Sequence, residues 1–399
     1  MSGAFTARSQ VAIVGYAQSP IVRHASAPLG AIAIDTVLRA IADAGLTKDQ
    51  IDGFTTGSLL PTSGAHASVD GVSIVTASWL AEQLGIDARF AAGFQGFGQI
   101  PGSVMLAVNA LATGAADSVV VHRALHNPPR GRYHVNPMTE AHGAMQWTAP
   151  QGFFGPLAMI ALPYNEYLQR YGASRDAMAA VLVEARANGA RIPWSYWRDK
   201  PITEADYLAA RVIADPIGVL DCDIPVDGVA AFVLTRADRA QDLPNRPVYV
   251  AGYAQGMQHR PRLPMHWPLD DIMDAGFEIA RRLEASSGLA LRAVDVPQLY
   301  DGFSPFVYFW LEALGYCPVG EAHRFVQDGG IRTDGGLPIL SGGGALGNGR
   351  MHGVPQMLEC YLQLAQRAGD RQLASATVGL ACHSSPHYGG AVVYTAEPL

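Results

Sequence analysis

Short runs of apolar and β-branched residues alternate with longer amphipathic segments through most of the chain. The first run, VAIVGYAQ at 11–18, is typical of a buried strand because nearly every position is apolar. In the segment 29–46 that follows, apolar residues recur at helical spacing, and Gly45 marks the end of the helix. This alternation predicts an α/β fold whose sheet faces are both covered by helices.

The pattern occurs twice along the chain. VYVAGYAQ at 248–255 repeats the GYAQ tetrapeptide of the first run unchanged. The amphipathic segment 273–289 then corresponds to 29–46, and LYDGF at 299–303 corresponds to IDGF at 51–54. A Gly-rich turn, a helix and a strand follow in both copies. We therefore predict two similar halves, each of which begins with a strand and the helix after it.

A long segment rich in aromatic residues, Pro and Met interrupts the repeat. It contains PQGFFGPLAMIALPYNEYLQRYG and RIPWSYWRDKPITEADY, which predict helices of its own. Long insertions of this kind often cover a site. We therefore divide the chain into a first half at 1–124 and 217–240, an inserted loop domain at 125–216, and a second half at 241–399.

Composition excludes several functional classes. Of the 399 residues, 49% are hydrophobic and only 16% are charged, which is enough apolar material for a large core. The net charge of −7 argues against a nucleic-acid-binding surface. No stretch approaches the roughly 18 consecutive apolar residues of a membrane span. The four Cys are widely spaced and the N-terminal segment is polar, so we expect a cytoplasmic protein without a structural zinc.

Four segments resemble the thiolase superfamily, and most closely its sterol-carrier-protein-type thiolases and lipid-transfer-protein-like relatives. They are DPIGVLDCDIPVDGVAAFVLT at 215–235, LYDGFSPF at 299–306, GGGALGNGRMHG at 342–353 and HSSPHYGGAVV at 383–393. These resemble the family's LLDC strand, its HDCF or YDHF turn, its GHP loop and its terminal Gly-Gly strand. The resemblance implies the thiolase fold: two pseudo-symmetric βαβαβ-type halves in a layered αβαβα arrangement, here with the inserted loop domain.

The chain departs from working thiolases at the nucleophile. Thiolases acylate a Cys that follows the first Gly-rich turn, where the helix N-terminus lowers the pKa of the thiol. Here that turn is GFQGFGQIPG at 93–102, which has no Cys, and Phe97 lies near the matching position. Arg350 stands in place of the GHP histidine, and Cys382 lies near the family's second, proton-shuttling Cys. Claisen chemistry through an acyl-enzyme is therefore not expected.

One branch of the family that lacks this Cys consists of aldolases that cleave steroid side chains as CoA thioesters. They use a Tyr in the YD-x-F turn, and Tyr300 occupies that position here. The resemblance implies a retro-aldol cleavage of a β-hydroxyacyl-CoA, with Tyr300 as the general base. That branch often has a second Tyr where this chain has Arg350.

Further candidates lie on the two second-half loops that converge on the site in this fold. His352 and His383 are candidate catalytic residues that would hold the enolate oxygen. Arg350 and His352 would lower the pKa of Tyr300 as neighbouring cations or hydrogen-bond donors. Cys382 is a supporting candidate.

Three candidate supporting residues have a structural interpretation as well. Gly343 and Gly344 serve either tight turns and close packing or an oxyanion site made of backbone amides. Asp301 is interpreted as a turn cap rather than as an acid.

Three other clusters have both a functional and a structural interpretation. They are an aromatic cluster (Trp194, Tyr196 and Trp197), an acidic pair (Asp221 and Asp223) and a basic cluster (Arg130, Arg132 and His134). The aromatic cluster is either core packing or a flat wall for a polycyclic acyl group. The acidic pair marks either a metal site or the entry of a strand. The basic cluster meets either CoA phosphates or solvent. The structural interpretation is favoured for each.

The sequence leaves two other functions open. A non-catalytic thiolase-like lipid- or acyl-CoA-binding protein would fit both the missing nucleophile and Arg350. An acyl-CoA acyltransferase would need Cys382, which has no helix N-terminus to activate it. The resemblance further implies a homodimer, an acyl-CoA substrate, no other cofactor or metal, and a separate small OB-fold zinc-ribbon partner.

Overall fold

The computed structural model describes residues 5–57, 75–94, 99–126, 146–153, 155–256 and 267–399. The strands are β1 (Val11–Gln18), β2 (Gly53–Thr56), β3 (Phe90–Gly93), β4 (Ser118–Leu125), β5 (Val212–Ala214), β6 (Ile217–Gly218), β7 (Gly228–Arg236), β8 (Val248–Gln255), β9 (Val296–Gln298), β10 (Val378–His383) and β11 (Gly390–Thr395). The helices are α1 (Leu29–Asp43), α2 (Ala77–Leu84), α3 (Gln99–Ala112), α4 (Gly155–Tyr171), α5 (Ala179–Gly189), α6 (Glu204–Leu208), α7 (Ala237–Ala240), α8 (Leu269–Ser287), α9 (Pro305–Ala313), α10 (Ala322–Gln327), α11 (Gly344–Asn348) and α12 (Val354–Leu364).

The strand order shows that the sequence repeat is a structural repeat. Within the described residues, nine strands form one mixed sheet in the order β3-β2-β4-β7-β1-β8-β11-β10-β9. Four strands on each side of the β1–β8 junction correspond, and β3 is an additional edge strand of the first half. At the junction, Ala12 pairs with Tyr249 and Ile13 pairs with Val248. In the first half, β1 pairs antiparallel with β7, β7 pairs antiparallel with β4, and β4 pairs parallel with β2. In the second half, β8 pairs antiparallel with β11, β11 pairs antiparallel with β10, and β10 pairs parallel with β9. Two pseudo-symmetric halves therefore meet at this junction.

The two GYAQ copies occupy equivalent places. The register of β1 against β7 shifts between Ile13 and Gly15, so one residue bulges directly before the glycine. The register of β8 against β11 shifts in the same way directly before Gly252. Each glycine lets the helix after its strand approach the backbone closely.

Alternation along the strands divides the interior into layers. On β7, Ala231 packs into a core with α1 and α2, whereas its neighbour Phe232 packs into a core with α3 and α12. On β11, Val392 joins the same α3–α12 core, whereas Val393 faces α8 and α9. The layers are therefore helices, strands, the central helices α3 and α12, strands and helices, which is the αβαβα arrangement that the sequence predicted.

The described part of the inserted segment packs on the second half. Its stretch PQGFFGPLAMIALPYNEYLQRYG contains α4 as predicted, whereas RIPWSYWRDKPITEADY is helical only at its end, where α6 begins. Tyr167 on α4 lies against Tyr308 on α9, with ring centroids 5.3 Å apart. Helix α5 packs directly on α11, where a Cβ at Gly189 would overlap the carbonyl group of Gly347. The insertion therefore supports the Gly-rich loop of the second half from one side.

Membrane-spanning helices and the state of the cysteines both bear on the environment expected for the protein. Across the described ranges, no helix combines the length and the apolar character needed to cross a membrane. All four cysteines are free thiols, and Cys317, Cys360 and Cys382 are buried.

Alanine at either repeat glycine tests the equivalence of the two halves. A Cβ at Gly15 would stand 2.6 Å from the amide nitrogen of Ala44, and a Cβ at Gly252 would stand 2.6 Å from that of Ser287. We expect each substitution to lower the free energy of unfolding by about 2–3 kcal/mol, measured from the urea-unfolding midpoint. Gly114 has a positive φ and open space, so Gly114→Ala should cost about 1 kcal/mol. Losses at the repeat glycines no larger than at Gly114 would contradict this packing argument.

Candidate active site

Tyr300 and His383 meet at one edge of the second-half sheet. Tyr300 lies in the turn between β9 and α9, and His383 is the last residue of β10. Because β9 and β10 are parallel neighbours, their carboxyl ends open on the same edge. The two rings lie 4.6 Å apart between centroids. Gly302 is required here, since a Cβ at this position would overlap the Tyr300 hydroxyl group.

The neighbouring Asp301 binds the start of α11. Its carboxylate accepts hydrogen bonds from the backbone amides of Ala345 at 2.6 Å and Leu346 at 3.0 Å. The side-chain amide of Gln356, on α12, donates a third hydrogen bond at 2.8 Å. Gly344 leaves room for the carboxylate, because a Cβ there would overlap it. Asp301 therefore joins the Tyr300 turn to the Gly-rich loop as a helix cap.

His352 lies on the same loop and contacts a residue of the first half. The guanidinium of Arg123, on β4, lies 2.6 Å from Nδ1 of His352. A guanidinium only donates, so Nδ1 accepts and the hydrogen of the neutral ring lies on Nε2. The rings of His352 and His383 are 6.3 Å apart. His352 also has a positive φ of 50°, a conformation that is uncommon for non-glycine residues.

The electrostatics of the site favour neutral side chains. Burial lowers the pKa of His352 well below its ordinary value, and the charges of Arg123 and Arg350 lower it further. Burial, with the repulsion of Arg350, also lowers the pKa of Arg123 to about 9, so this guanidinium remains a cation at neutral pH. His352 is therefore a neutral donor rather than the second cation that would lower the pKa of Tyr300.

Tyr300 is held as a neutral phenol in the ligand-free chain. Burial raises its pKa well above the ordinary value, and the charges of Asp223 and Asp301 raise it further. Arg350 acts in the opposite direction and lowers the pKa, as its position in the sequence predicts. A general base at Tyr300 therefore needs a second group that takes the phenolic proton.

The Gly-rich loop contributes close packing, and most of its amides already have acceptors. The amide of Gly343 donates to the carbonyl oxygen of Leu340 at 2.8 Å. The backbone amides of Ala345 and Leu346, in α11, donate to the carboxylate of Asp301. An oxyanion site on Gly343 would have to replace an existing hydrogen bond.

Cys382 lies in the same buried core as Tyr300, as a thiol rather than a thiolate. It is 1% exposed and packs in the core that contains α8 and α9. Burial raises the pKa of its thiol well above the ordinary value. Along a strand, successive side chains point to opposite faces, so Cys382 and His383 diverge. The thiol is neither activated nor exposed.

Two other sequence clusters are structural. Trp197 is covered by the guanidinium of Arg186, whose carbon lies 3.7 Å from the ring centroid, so this ring is not an open wall. The carboxylate of Asp221 accepts hydrogen bonds from the hydroxyl groups of Tyr207 and Ser304. In the described part of the chain, no group of three or more metal-ligating side chains is found. Phe97 and the basic cluster of Arg130, Arg132 and His134 lie outside the described residues.

Sequence reasoning did not single out Arg123 as a site residue. The apolar run in SVVVHRAL at 118–125 predicts a strand, and that pattern alone does not distinguish Arg123. Arg123 is only 4% exposed, and an arginine in an otherwise apolar strand is rarely buried without a partner. That contrast is the signal that could have identified it.

The sequence has counterparts among known proteins. Residues 270–393 match a family described as thiolase C-terminal domain-like. The chain is 34% identical over 371 residues to the 17-hydroxy-3-oxo-4-pregnene-20-carboxyl-CoA lyase of Mycobacterium tuberculosis, covering 89% of this chain and 91% of that protein. It is 32% identical over 339 residues to a steroid side-chain-cleaving aldolase of Thermomonospora curvata, covering 82% and 83%. This chain belongs to the thiolase superfamily. Its branch is that of these two proteins.

Solved structures of the superfamily agree with the fold. The Ltp2-ChsH2(DUF35) aldolase superposes with a TM-score of 0.84 at 28% identity, over 97% of this chain and 98% of that one. An acetyl-CoA acetyltransferase from Syntrophomonas wolfei superposes with a TM-score of 0.63 at 16% identity, over 98% of this chain and 100% of that one, and shares the fold alone. The thiolase fold predicted from the sequence is therefore confirmed.

Asp301→Asn tests the buried carboxyl by removing its titration. Burial raises the pKa of Asp301 from 3.8 to about 7, so over that range the folded chain holds a proton that the unfolded chain has lost. Its contribution to stability is therefore present below about pH 4 and lost as the pH rises to about 7. We expect the stability of the unsubstituted protein, relative to Asp301→Asn, to fall by a few kcal/mol across this window. Urea unfolding of both proteins at several pH values measures the difference, and parallel pH profiles would contradict it.

Proposed function

We propose that this chain is a carbon–carbon lyase that cleaves a β-hydroxyacyl-CoA by a retro-aldol reaction. One observation carries the proposal: Tyr300, His383 and His352 lie together with two arginines, Arg123 and Arg350. The chain has no thiol nucleophile at this site. The names of the two relatives point to a steroid side-chain thioester as the acyl group. The products are a ketone or aldehyde and a shorter acyl-CoA.

In the proposed reaction, the first step removes the proton of the β-hydroxyl group. Tyr300 receives this proton and gives its own phenolic proton to the adjacent ring of His383, whose centroid is 4.6 Å away. This relay is needed because burial keeps Tyr300 neutral at rest. Arg350 favours the step, since its charge lowers the pKa of Tyr300 and so eases the loss of the phenolic proton.

The second step breaks the bond between the α and β carbons. The β carbon becomes the carbonyl group of the first product, and the electron pair of the broken bond forms a thioester enolate. His352 is placed to donate from Nε2 to the enolate oxygen, because Arg123 occupies Nδ1. The proton held by Tyr300 and His383 then returns to the α carbon, which restores both residues. CoA takes part only as a portion of the substrate.

Assembly with other chains belongs to the same proposal. The structurally similar aldolase carries the double name Ltp2-ChsH2(DUF35), which supports a separate partner chain. We propose a small OB-fold zinc-ribbon protein as that partner, and a homodimer of this chain. Co-purification with such a partner, and the mass of the complex in solution, measure both.

Tyr300→Phe tests the proton relay. The substitution removes one oxygen and keeps the ring, so packing should change little. Loss of a general base typically lowers the rate 10²–10⁴-fold, or about 3–5 kcal/mol of barrier. We expect a loss in this range in kcat, measured as carbonyl release at saturating steroid β-hydroxyacyl-CoA, with binding of the thioester retained.

Arg350→Met is the matched comparison. It should cost less in rate than Tyr300→Phe, and the pH optimum should move upward because Arg350 lowers the pKa of Tyr300. If folded Tyr300→Phe keeps its rate within about threefold, Tyr300 is a structural residue. The base would then have to be His352 or His383.

The absence of an acyl-enzyme distinguishes this lyase from an acyltransferase. All four thiols are free, and burial raises the pKa of Cys382. We expect mass spectrometry of acid-quenched turnover mixtures to find no acyl group on any cysteine, and Cys382→Ala to retain cleavage within about threefold. A covalent acyl group trapped on Cys382 would establish the rival chemistry.

A further inference from the structure

The turn that carries Tyr300 is held from behind by a short piece of chain that joins the inserted loop domain to β7. Residues 302–304 of the turn form an antiparallel bridge with residues 221–223. The backbone amide of Asp223 donates to the carbonyl oxygen of Gly302 at 3.0 Å. At the other end of the bridge, the amide of residue 304 donates to the carbonyl oxygen of residue 221 at 2.9 Å. The backbone of the turn is therefore fixed at both ends of this bridge.

The side chain of Asp221 adds a second connection to the same turn. Its Oδ1 accepts hydrogen bonds from the hydroxyl group of Ser304 at 2.6 Å and from that of Tyr207 at 2.9 Å. Its Oδ2 accepts from the amide of Gly218 at 2.7 Å and from the guanidinium of Arg175 at 3.3 Å. Asp221 is completely buried. Because a buried carboxylate is costly without hydrogen-bond donors, these contacts hold it in one place.

Two of these donors belong to the inserted loop domain. Arg175 lies in the short helix directly before α5, and Tyr207 lies on α6. The guanidinium carbon of Arg175 is 4.5 Å from the centroid of the Tyr207 ring, and its Nε donates to the carbonyl oxygen of Pro216 at 2.9 Å. The insertion thus offers a preassembled pair of donors to Asp221, and Asp221 connects that pair to Ser304.

Ser304 links this network to the reacting tyrosine. It is the residue directly before α9, where a serine ordinarily caps the helix with its own hydroxyl group. Here the hydroxyl group makes no cap and bonds Asp221 instead. The ring of Tyr300 stacks on Phe306 of α9, with centroids 6.1 Å apart. The placement of this helix start therefore determines where the Tyr300 ring lies.

We propose that Ser304 and Asp221 are positioning residues for Tyr300, and that the inserted loop domain sets the position of the phenol through them. This inference rests on the proposed lyase function, because it concerns the reach of Tyr300 to the β-hydroxyl group of the substrate. Proton transfer requires donor and acceptor within hydrogen-bond reach. A displacement of about 1 Å can therefore lower the rate strongly while the contacts that bind the thioester stay in place.

Paired substitutions on the two sides of the carboxylate test this connection. Ser304→Ala removes the hydroxyl group of the turn, and Tyr207→Phe removes the hydroxyl group of the insertion from the same Oδ1 atom of Asp221. Ser287→Ala is the matched control. Ser287 is a completely buried serine on α8, and its hydroxyl group donates to the carbonyl oxygen of Leu283 at 2.7 Å. Urea unfolding gives the stability of every variant.

Cleavage of a steroid β-hydroxyacyl-CoA measures kcat and KM, and calorimetry with the same thioester lacking the β-hydroxyl group measures affinity. We expect Ser304→Ala to lower kcat about tenfold and Tyr207→Phe about fivefold, with KM and affinity changed by less than about twofold. The double variant should match Ser304→Ala within about twofold, because both hydroxyl groups act through one carboxylate, whereas independent effects would multiply to about fiftyfold. Ser287→Ala should lose stability and keep kcat.

Three results would overturn the proposal. The first is a kcat within about twofold of the unsubstituted protein in both Ser304→Ala and Tyr207→Phe. The second is multiplication of the two losses in the double variant. The third is a loss of kcat in Ser287→Ala as large as in Ser304→Ala, since the rate would then follow stability alone. If Ser304→Ala does not fold, Tyr207→Phe against Ser287→Ala decides the question.

Hydrogen–deuterium exchange of residues 299–306 reads the turn without any substrate. We expect faster exchange there in Tyr207→Phe than in the unsubstituted protein, and no change in Ser287→Ala. Faster exchange in a chain that cleaves no β-hydroxyacyl-CoA would leave the connection from the insertion to the turn and remove the lyase. Unchanged exchange and unchanged kcat in Tyr207→Phe and Ser304→Ala, in a chain that cleaves, would remove the connection and leave the lyase.

Discussion

The binding of the Asp301 carboxylate to the start of α11 is the interaction on which the site depends. It joins the turn that carries Tyr300 to the loop that carries Arg350 and His352 through two backbone amides and Gln356. A buried carboxylate is costly unless hydrogen bonds compensate it. Here three of the compensating donors belong to the opposite side of the site, so this contact fixes the Tyr300 turn against the Gly-rich loop.

The same interaction sets the electrostatics of the site. The charges of Asp301 and Asp223 add to the effect of burial and raise the pKa of Tyr300, while Arg350 lowers it. The scaffold that positions the phenol therefore also keeps it protonated. In the reaction that we propose, transfer of the phenolic proton to His383 would resolve this conflict, because a proton relay moves charge without leaving a buried phenolate unpaired.

The thiolase architecture supports this chemistry without its usual nucleophile. The central helices and the two pseudo-symmetric strand sets bring loops from both halves to one sheet edge, as the contact of Arg123 on β4 with His352 shows. Helix α5 of the insertion fixes the Gly-rich loop from behind, where Gly189 and Gly347 touch through their backbones. A fold that is held by such contacts can exchange one reactive side chain for another and keep its geometry.

The sequence by itself determined the α/β class, the repeat and the YDGF turn, because strand and helix periodicities and glycine positions are local properties. It also indicated that Asp301 caps a turn. Only the tertiary structure decided that His352 is a neutral donor and that Cys382 lies in the core. The reason is physical: Arg123 and His352 are 229 positions apart, and their protonation depends on burial and on neighbours that no local pattern encodes.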